Sequence, residues 1–143
     1  MQSDFDDLRV RNVTSGEWVP YWIEEKVNGS WCKLWFNASY IPASSWLNDT
    51  YYLYYNNSTV STTSNGKETF IFFDNFSVDS TGEYSHYTTS EYCLATYQST
   101  TQDLKLEITD TPGSEYHSFL HDTVRFSGDV ELRYKVKSYS SDN

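Results

Sequence analysis

The sequence contains few cysteines, glycines and basic residues, and each shortage excludes a class of protein. Cys32 and Cys93 are the only cysteines, and they are too far apart to supply the closely spaced ligands of a structural zinc site. Six glycines leave no glycine-rich loop of the kind that binds phosphate. Ten Lys and Arg stand against twenty Asp and Glu, and the net charge of −10 repels nucleic-acid phosphates and anionic lipids. We therefore expect no nucleic acid as a partner and no direct binding to a membrane surface.

Long apolar runs are also missing. No stretch approaches the roughly 20 apolar residues that span a bilayer, and the chain shows no signal peptide. A length of 143 residues is sufficient for one hydrophobic core. We expect residues 1–143 to form a single ectodomain, with a signal peptide and any membrane anchor lying outside this chain.

The residues that could perform catalysis do not form a recognisable set. His117 and His121 have the spacing that would place two imidazoles on one helical face, but no third His or Cys ligand stands nearby. There is no Gly-x-Ser-x-Gly turn to present a nucleophile, and the carboxylates are spread along the chain. We therefore predict a protein that is not an enzyme and has no metal or cofactor.

Asparagine-linked glycosylation sequons are the most abundant motif. Of nine asparagines, seven lie in Asn-x-Ser/Thr sequences. They are Asn12, Asn28, Asn37, Asn48, Asn56, Asn57 and Asn75. Because glycan attachment requires the secretory lumen and an exposed segment, this density predicts a glycoprotein of the secretory pathway. In that compartment, Cys32 and Cys93 are predicted to form one disulfide.

Alternation of apolar and polar residues predicts strands along most of the chain. The period-2 segments are residues 103–109 and 129–137, and further runs of strand length are residues 31–36, 50–55, 69–73, 84–89 and 92–97, with weaker candidates at 8–13 and 19–23. Turn pairs such as Asn28-Gly29 separate the runs, and only residues 114–122 could hold a helical turn. Many short antiparallel strands predict an all-β fold, either a sandwich or a barrel.

The strand run at residues 50–55 also predicts which side chains are buried. Its one aliphatic member, Leu53, should mark the inner face, so Tyr51, Leu53 and Tyr55 are predicted to point into the core. Tyr52 and Tyr54 would then point outward. Outward tyrosines are candidates for a contact surface, because tyrosine is enriched at interfaces, and they could equally cover a neighbouring sugar.

The segment from Asp79 to His86 resembles the turn that enters strand F of immunoglobulin-like domains, Asp-(Thr/Ser)-(Ala/Gly)-x-Tyr-x-Cys. In that turn the acid and the glycine, here Asp79 and Gly82, shape the backbone. The tyrosine, here Tyr84, reaches back to the backbone through its hydroxyl. His86 stands where the cysteine of the pattern would be.

Trp46 has a spacing that is also similar to that of immunoglobulin-like domains. It follows Cys32 by 14 residues, as a buried tryptophan of strand C follows a cysteine of strand B. Trp35 competes for the same role.

The dense sequons and this turn together resemble the ectodomains of herpesvirus immune-evasion proteins. The closest similarity is to the mouse cytomegalovirus family of surface glycoproteins that bind class I MHC. The resemblance implies an immunoglobulin V-like β-sandwich with a variant disulfide. It also implies a viral ectodomain at the cell surface or in the endoplasmic reticulum lumen of an infected host cell. There it would bind class I MHC and modulate recognition by T cells or natural killer cells.

The C-terminal half is predicted to carry the docking surface, because a glycoprotein that recognises another protein keeps one face free of glycan. No sequon follows Ser77. The polar faces of the two period-2 segments in this half carry charges of both signs: Lys105, Glu107, Glu131, Arg133 and Lys135.

A lipocalin-type barrel of eight strands is the alternative fold. Gly16-Glu17-Trp18 is similar to the Gly-x-Trp that begins the first lipocalin strand. The predicted strands from residue 31 onward could close a barrel around an aromatic cavity. That fold implies a secreted protein that scavenges a small ligand or a chemokine.

Overall fold

A computed structural model describes residues 1–44, 46, 50–88, 93–108, 118–121 and 133–134. The strands are β1 (Arg9–Asn12), β2 (Trp18–Val19), β3 (Tyr21–Val27), β4 (Trp31–Phe36), β5 (Tyr51–Tyr54), β6 (Ser85–Thr88), β7 (Cys93–Gln98), β8 (Asp103–Ile108) and β9 (Ser118–His121). Helical structure in these residues is limited to α1 (Gly66–Thr69) and a 3-10 turn at Thr81–Glu83. The strands pair antiparallel in small sheets, which confirms the all-β prediction. Within the described residues these sheets do not close into a barrel.

The chain divides into two compact units, Met1–Val78 and Asp79–Asn143. The first unit contains a three-stranded sheet in the order β2-β1-β5. Val10 of the central strand pairs with Val19 on one side and with Leu53 on the other. The buried apolar side chains among the described residues are Phe5, Leu8, Val10 and Tyr21. Val10, a β-branched residue at the centre of the sheet, therefore belongs to the core, because alternate side chains of a strand point to one face.

Leu53 lies on the same face of the sheet as its partner Val10, but the prediction that Leu53 is buried in the core is wrong. Leu53 is 50% exposed, and Tyr55 beyond it is 60% exposed. Tyr51 is half-buried and packs against Phe36 of β4, with ring centroids 5.3 Å apart. Because β5 lies at the edge of its sheet, a side chain on its inner face is covered only where another element overlaps it, as Phe36 overlaps Tyr51.

Strands β3 and β4 form a hairpin. Gly29 in its turn has a φ of +73°, a conformation that favours glycine, and the N–H of Ser30 donates to the carbonyl of Val27 at 2.9 Å. The bounds of β4 coincide with the predicted run at residues 31–36, which confirms that strand. A β-bulge shifts the register between Ile23 and Glu25.

An aromatic cluster covers one face of this hairpin. Trp22 and Trp35 are cross-strand partners, and the rings of Phe70 and Phe73 pack on them. The centroid of Trp22 lies 4.7 Å from that of Phe73 and 5.7 Å from that of Phe70, both edge to face. Phe70 and Phe73 lie 5.8 Å apart with nearly parallel rings. We call these four rings the aromatic cluster.

The strand predicted at residues 69–73 is wrong. Asn65 caps helix α1 instead, because its side chain accepts a hydrogen bond from the N–H of Lys67 at 3.1 Å. The chain after the helix is irregular. Phe70 and Phe73 pack in the aromatic cluster, so the apolar run here reflects ring packing rather than a sheet.

The second unit contains two antiparallel pairs, β6 with β9 and β7 with β8. The second pair runs from Cys93 opposite Ile108 to Gln98 opposite Asp103. The strands predicted at residues 84–89, 92–97 and 103–109 are confirmed. Leu106 was expected on a buried face, yet it is 46% exposed.

Two further predictions fall at the margin of what the structure describes. Residues 118–121 form β9 opposite β6, so the helical turn predicted at residues 114–122 is wrong there, because a partner strand is available. Residues 114–117, with His117, lie outside the described residues, as does most of the segment 129–137.

Candidate functional site

Three side chains meet on the surface of the β2-β1-β5 sheet. The guanidinium carbon of Arg11 lies 5.3 Å from the ring centroid of Trp18, over the ring. Tyr54 packs edge to face on the same indole, with centroids 5.6 Å apart and an interplanar angle of 77°. These are the geometries of a cation–π contact and of a favourable aromatic pair.

Strand register explains why these residues share a face. Arg11 is the Cα partner of Trp18 on one side and of Tyr52 on the other, and residues directly opposite in antiparallel strands point the same way. Tyr54 lies two residues from Tyr52 and therefore projects from the same side. Val10, between two arginines, faces the core. We call Arg11, Trp18, Tyr52 and Tyr54 the aromatic face.

The aromatic face is open to solvent. Trp18 is 58% exposed, Tyr52 44% and Tyr54 42%. The hydrophobic effect favours burial of rings of this size, so their exposure on one face makes this face a candidate interaction surface.

Arg11 is held in place without being neutralised. Its Nε–H donates to the carbonyl of Gly16 at 3.1 Å, and Gly16 has a φ of +79°. The turn that presents this carbonyl is fixed by Asn12, whose side-chain oxygen accepts from the N–H groups of Thr14 and Ser15 at 3.0 and 3.2 Å. In the described part of the chain Arg11 forms no salt bridge. Its terminal nitrogens thus remain able to pair with an anion.

The sequence predicted two of the four residues of the aromatic face. Tyr52 and Tyr54 were predicted as outward tyrosines of a contact surface, and the structure places both on the aromatic face. Arg11 and Trp18 were missed. The signal for them is the Arg9-Val10-Arg11 run, which alternates two cations about one core residue in an otherwise acidic chain.

Most of the predicted glycosylation asparagines are accessible. Those exposed in the structure are Asn28, Asn37, Asn56, Asn57 and Asn75. Asn12 is half-buried in its turn, and Asn48 lies outside the described residues. Asn57 accepts hydrogen bonds from the N–H and the hydroxyl of Thr59, at 3.1 and 2.8 Å. Occupancy of these sequons stays a prediction.

The turn that resembles an immunoglobulin-like domain forms around Asp79. Its carboxylate accepts hydrogen bonds from the hydroxyl and the N–H of Thr81, at 2.6 and 3.0 Å. These bonds hold the pKa of Asp79 below its ordinary value. Tyr84 is half-buried immediately before β6. Gly82 does not fill the predicted role, because its φ is not positive and a Cβ there would meet no atom within 4 Å.

Trp46 does not fit the buried position expected of it, since it is 87% exposed. The predicted disulfide is not found either: Cys32 has a free thiol, and the structure does not describe the side chain of Cys93. Burial raises the pKa of the Cys32 thiol. Cys32 and Cys93 lie in different compact units.

The predicted docking charges on the C-terminal half are only partly described. Lys105 and Glu107 pair with each other on β8, with an N–O distance of 2.8 Å. Arg133 is exposed, whereas Glu131 and Lys135 lie outside the described residues. The structure does not bring these five side chains together as a described surface.

A shallow groove of about 290 Å³ lies beside the β-bulge of β3 and is lined mainly by polar residues. Two of its three carboxylates, those of Glu24 and Asp6, are already engaged. Glu24 accepts from Nε1 of Trp35 and pairs with Lys33, each at 2.7 Å, and Asp6 pairs with Lys26 at 3.6 Å. Among the described residues, no group of three or more His, Cys, Asp or Glu could hold a metal ion.

Asp7 is the buried charge of the first unit, at 2% exposure. Its carboxylate accepts from the N–H of Gln2 at 2.9 Å and from that of Asn56 at 2.5 Å. Burial by itself would raise the pKa of Asp7, but these hydrogen bonds outweigh it, and the pKa lies below its ordinary value. Asp7 therefore links the N-terminal segment to the chain beyond β5 through hydrogen bonds, and its role is structural.

No helix among the described residues has both the length and the apolar character needed to cross a membrane. Comparison with curated proteins and with solved structures finds no match. The family model described as a domain of unknown function, DUF2341, matches residues 4–89, a range that contains the whole aromatic face. Because this match covers more than half of the 143 residues, the chain belongs to the DUF2341 family.

Proposed function

We propose that this protein is a non-enzymatic recognition domain that binds its partner through the aromatic face. The observation that carries the proposal is the exposed Arg11–Trp18–Tyr54 arrangement, in which a fixed cation that forms no salt bridge within the described residues lies over an indole that is 58% exposed. Tryptophan, tyrosine and arginine are also the residues that dominate binding energy at interfaces.

Preorganisation supports the same conclusion. Arg11 is restrained by the Trp18 ring and by the carbonyl of Gly16, and Trp18 is restrained by Tyr54. A ligand would therefore bind side chains that have already lost most of their rotamer freedom. That loss otherwise costs about 0.5–1.5 kcal/mol for each immobilised side chain on binding.

The finer predictions on fold and partner have less support. The Asp79 turn and the exposed sequons are consistent with an immunoglobulin V-like sandwich in the secretory pathway. The exposed Trp46 and the free thiol of Cys32 do not add support to it. That fold, its disulfide, and a class I MHC partner remain predictions that rest on the sequence.

The test compares three proteins against immobilised panels of glycans and purified extracellular proteins. They are the wild type, the double variant Trp18→Ala/Tyr54→Ala, and the control Trp46→Ala, which removes an exposed tryptophan outside the aromatic face. We expect specific ligands of the wild type to bind the control equally and the double variant at least about tenfold more weakly. Far-UV circular dichroism should be the same for all three.

A second arm tests the competing C-terminal surface. The pair Lys105→Asn/Glu107→Thr creates a sequon on β8, and expression in a glycosylating host adds a glycan there. Ligands that are lost with this glycan but bind normally to Trp18→Ala/Tyr54→Ala would show that the docking surface is in the C-terminal half and that the proposal is wrong.

A further inference from the structure

We propose that the partner of the aromatic face is an acidic glycan, in which one sugar-acid unit packs on Trp18 and places its carboxylate on Arg11. This inference rests on the proposed function and names the ligand class of the same surface. Two groups lie together on that surface, the exposed indole of Trp18 and the guanidinium of Arg11.

The indole favours a sugar ring. A pyranose presents a flat face of C–H groups, which packs on an exposed aromatic ring through dispersion and burial of apolar surface. Trp18 lies on a sheet surface and is 58% exposed, so a sugar ring can pack on the part of the indole that Arg11 and Tyr54 leave uncovered. Tyr54 also brings a phenolic hydroxyl, which can donate to and accept from sugar hydroxyls.

The guanidinium favours a carboxylate. Only the Nε–H of Arg11 is used by the carbonyl of Gly16, so the terminal nitrogens can form the paired hydrogen bonds that arginine makes to carboxylates. In a sugar acid the carboxylate is bonded directly to the ring. One unit can therefore contact both groups, since the Arg11 guanidinium carbon and the Trp18 centroid are 5.3 Å apart.

The overall charge of the protein limits the ligand to a short one that carries few charges. The net charge of −10 disfavours dense polyanions. At physiological ionic strength, however, charges are screened beyond about 8 Å, so a single carboxylate responds mainly to the nearby Arg11.

An acidic peptide fits this surface less well. Peptides add to open strand edges or enter grooves. The edge beside Trp18 is β2, which has two residues and is followed by Pro20, a residue without an N–H to donate. A peptide on the other edge, β5, would lie away from Arg11 and Trp18.

Calorimetric titration with three probes tests the inference: trigalacturonic acid, its fully methyl-esterified form, and triglutamate. We expect the free acid to bind and the ester to bind at least about tenfold more weakly, because esterification removes the charge that Arg11 pairs with. Arg11→Gln should cause a similar loss, and Arg11→Lys a smaller one, since lysine keeps the charge without the planar fork. Trp18→Ala should abolish binding, while Trp46→Ala should leave it unchanged.

The outcomes test the ligand class separately from the location of the docking surface. Equal binding of acid and ester, with Trp18→Ala still disruptive, would refute the carboxylate and leave the aromatic face as the docking surface. Tight binding of triglutamate that depends on Trp18 would show an acidic-peptide site and refute the glycan. If trigalacturonic acid does not bind the wild type, the inference is wrong. The glycan and protein panels then decide independently whether the aromatic face binds anything.

Discussion

Gly66, the first residue of α1, lies against the ring of Phe73. Gly66 is buried, and a Cβ built on it would come within 3.0 Å of three ring atoms of Phe73, closer than real Cβ contacts. The ring cannot move freely, because it is stacked on Phe70 and packs edge to face on Trp22. Gly66→Ala therefore overfills the aromatic cluster.

The expected magnitude is the difference of two opposing effects. Overpacking of this kind costs about 1–3 kcal/mol. Replacing a helical glycine by alanine returns about 0.5–1 kcal/mol through backbone entropy. Phe73 is only half-buried and can shift partly toward solvent, which places the cost in the middle of its range. We expect a net loss of about 1–2 kcal/mol in the free energy of unfolding, or roughly 3–8 °C in the melting temperature.

Equilibrium unfolding in urea, followed by tryptophan fluorescence, measures this loss, because Trp22 reports on the cluster. The matched control is Gly82→Ala, where the added Cβ meets nothing within 4 Å. That variant should be neutral or slightly stabilised, by less than about 1 kcal/mol. Pairing Gly66→Ala with Phe73→Leu should cost less than the sum of the two single changes. If both glycine variants show the same stability, the close packing of Gly66 on Phe73 is not what constrains this position.

Two further predictions concern Asp7 and Trp46. Because its pKa in the folded state lies below the ordinary value of 3.8, Asp7 contributes stability that is present above that value and is lost as the pH falls through the folded pKa. Asp7→Asn should therefore be less stable than the wild type at neutral pH, and the difference should narrow as the pH falls below 3.8, measured by urea unfolding at a series of pH values. A difference that does not change with pH would contradict this. Trp46→Ala should change the free energy of unfolding by no more than about 0.5 kcal/mol, since Trp46 is 87% exposed. A loss of several kcal/mol in the free energy of unfolding would instead show that Trp46 is a core residue.

The sequence predicted strands where local chemistry decides the structure. Residues 31–36 form a strand with the predicted bounds, because a turn at Asn28-Gly29 fixes the register and β3 supplies a partner on the same hairpin. Strand β8, which lies within the predicted run at residues 103–109, follows the same logic with β7. In both cases the partner strand is near in sequence.

Predictions failed where a distant contact decides the structure. Phe70 packs on Trp22 and Trp35, and Phe73 packs on Trp22, contacts that no local pattern contains. Leu53 has the alternation of a core residue, but whether an edge-strand side chain is covered depends on the neighbouring layer. The candidate site divides in the same way. Alternation found Tyr52 and Tyr54, whereas the pairing of Arg11 with Trp18 depends on a hairpin register that the sequence did not predict.

Pro20 connects the two sheets of the first unit directly, and this affects how a force on the aromatic face is transmitted. It lies between β2, which pairs with β1 in one sheet, and β3, which pairs with β4 in another, and its carbonyl accepts from the N–H of Asn37 at 3.2 Å. Trp18 on the aromatic face and Tyr21, which is 2% exposed, are therefore three residues apart with no loop between them. A load applied to Trp18 passes through Pro20 directly to a buried anchor, so the short strand β2 does not have to bear it alone.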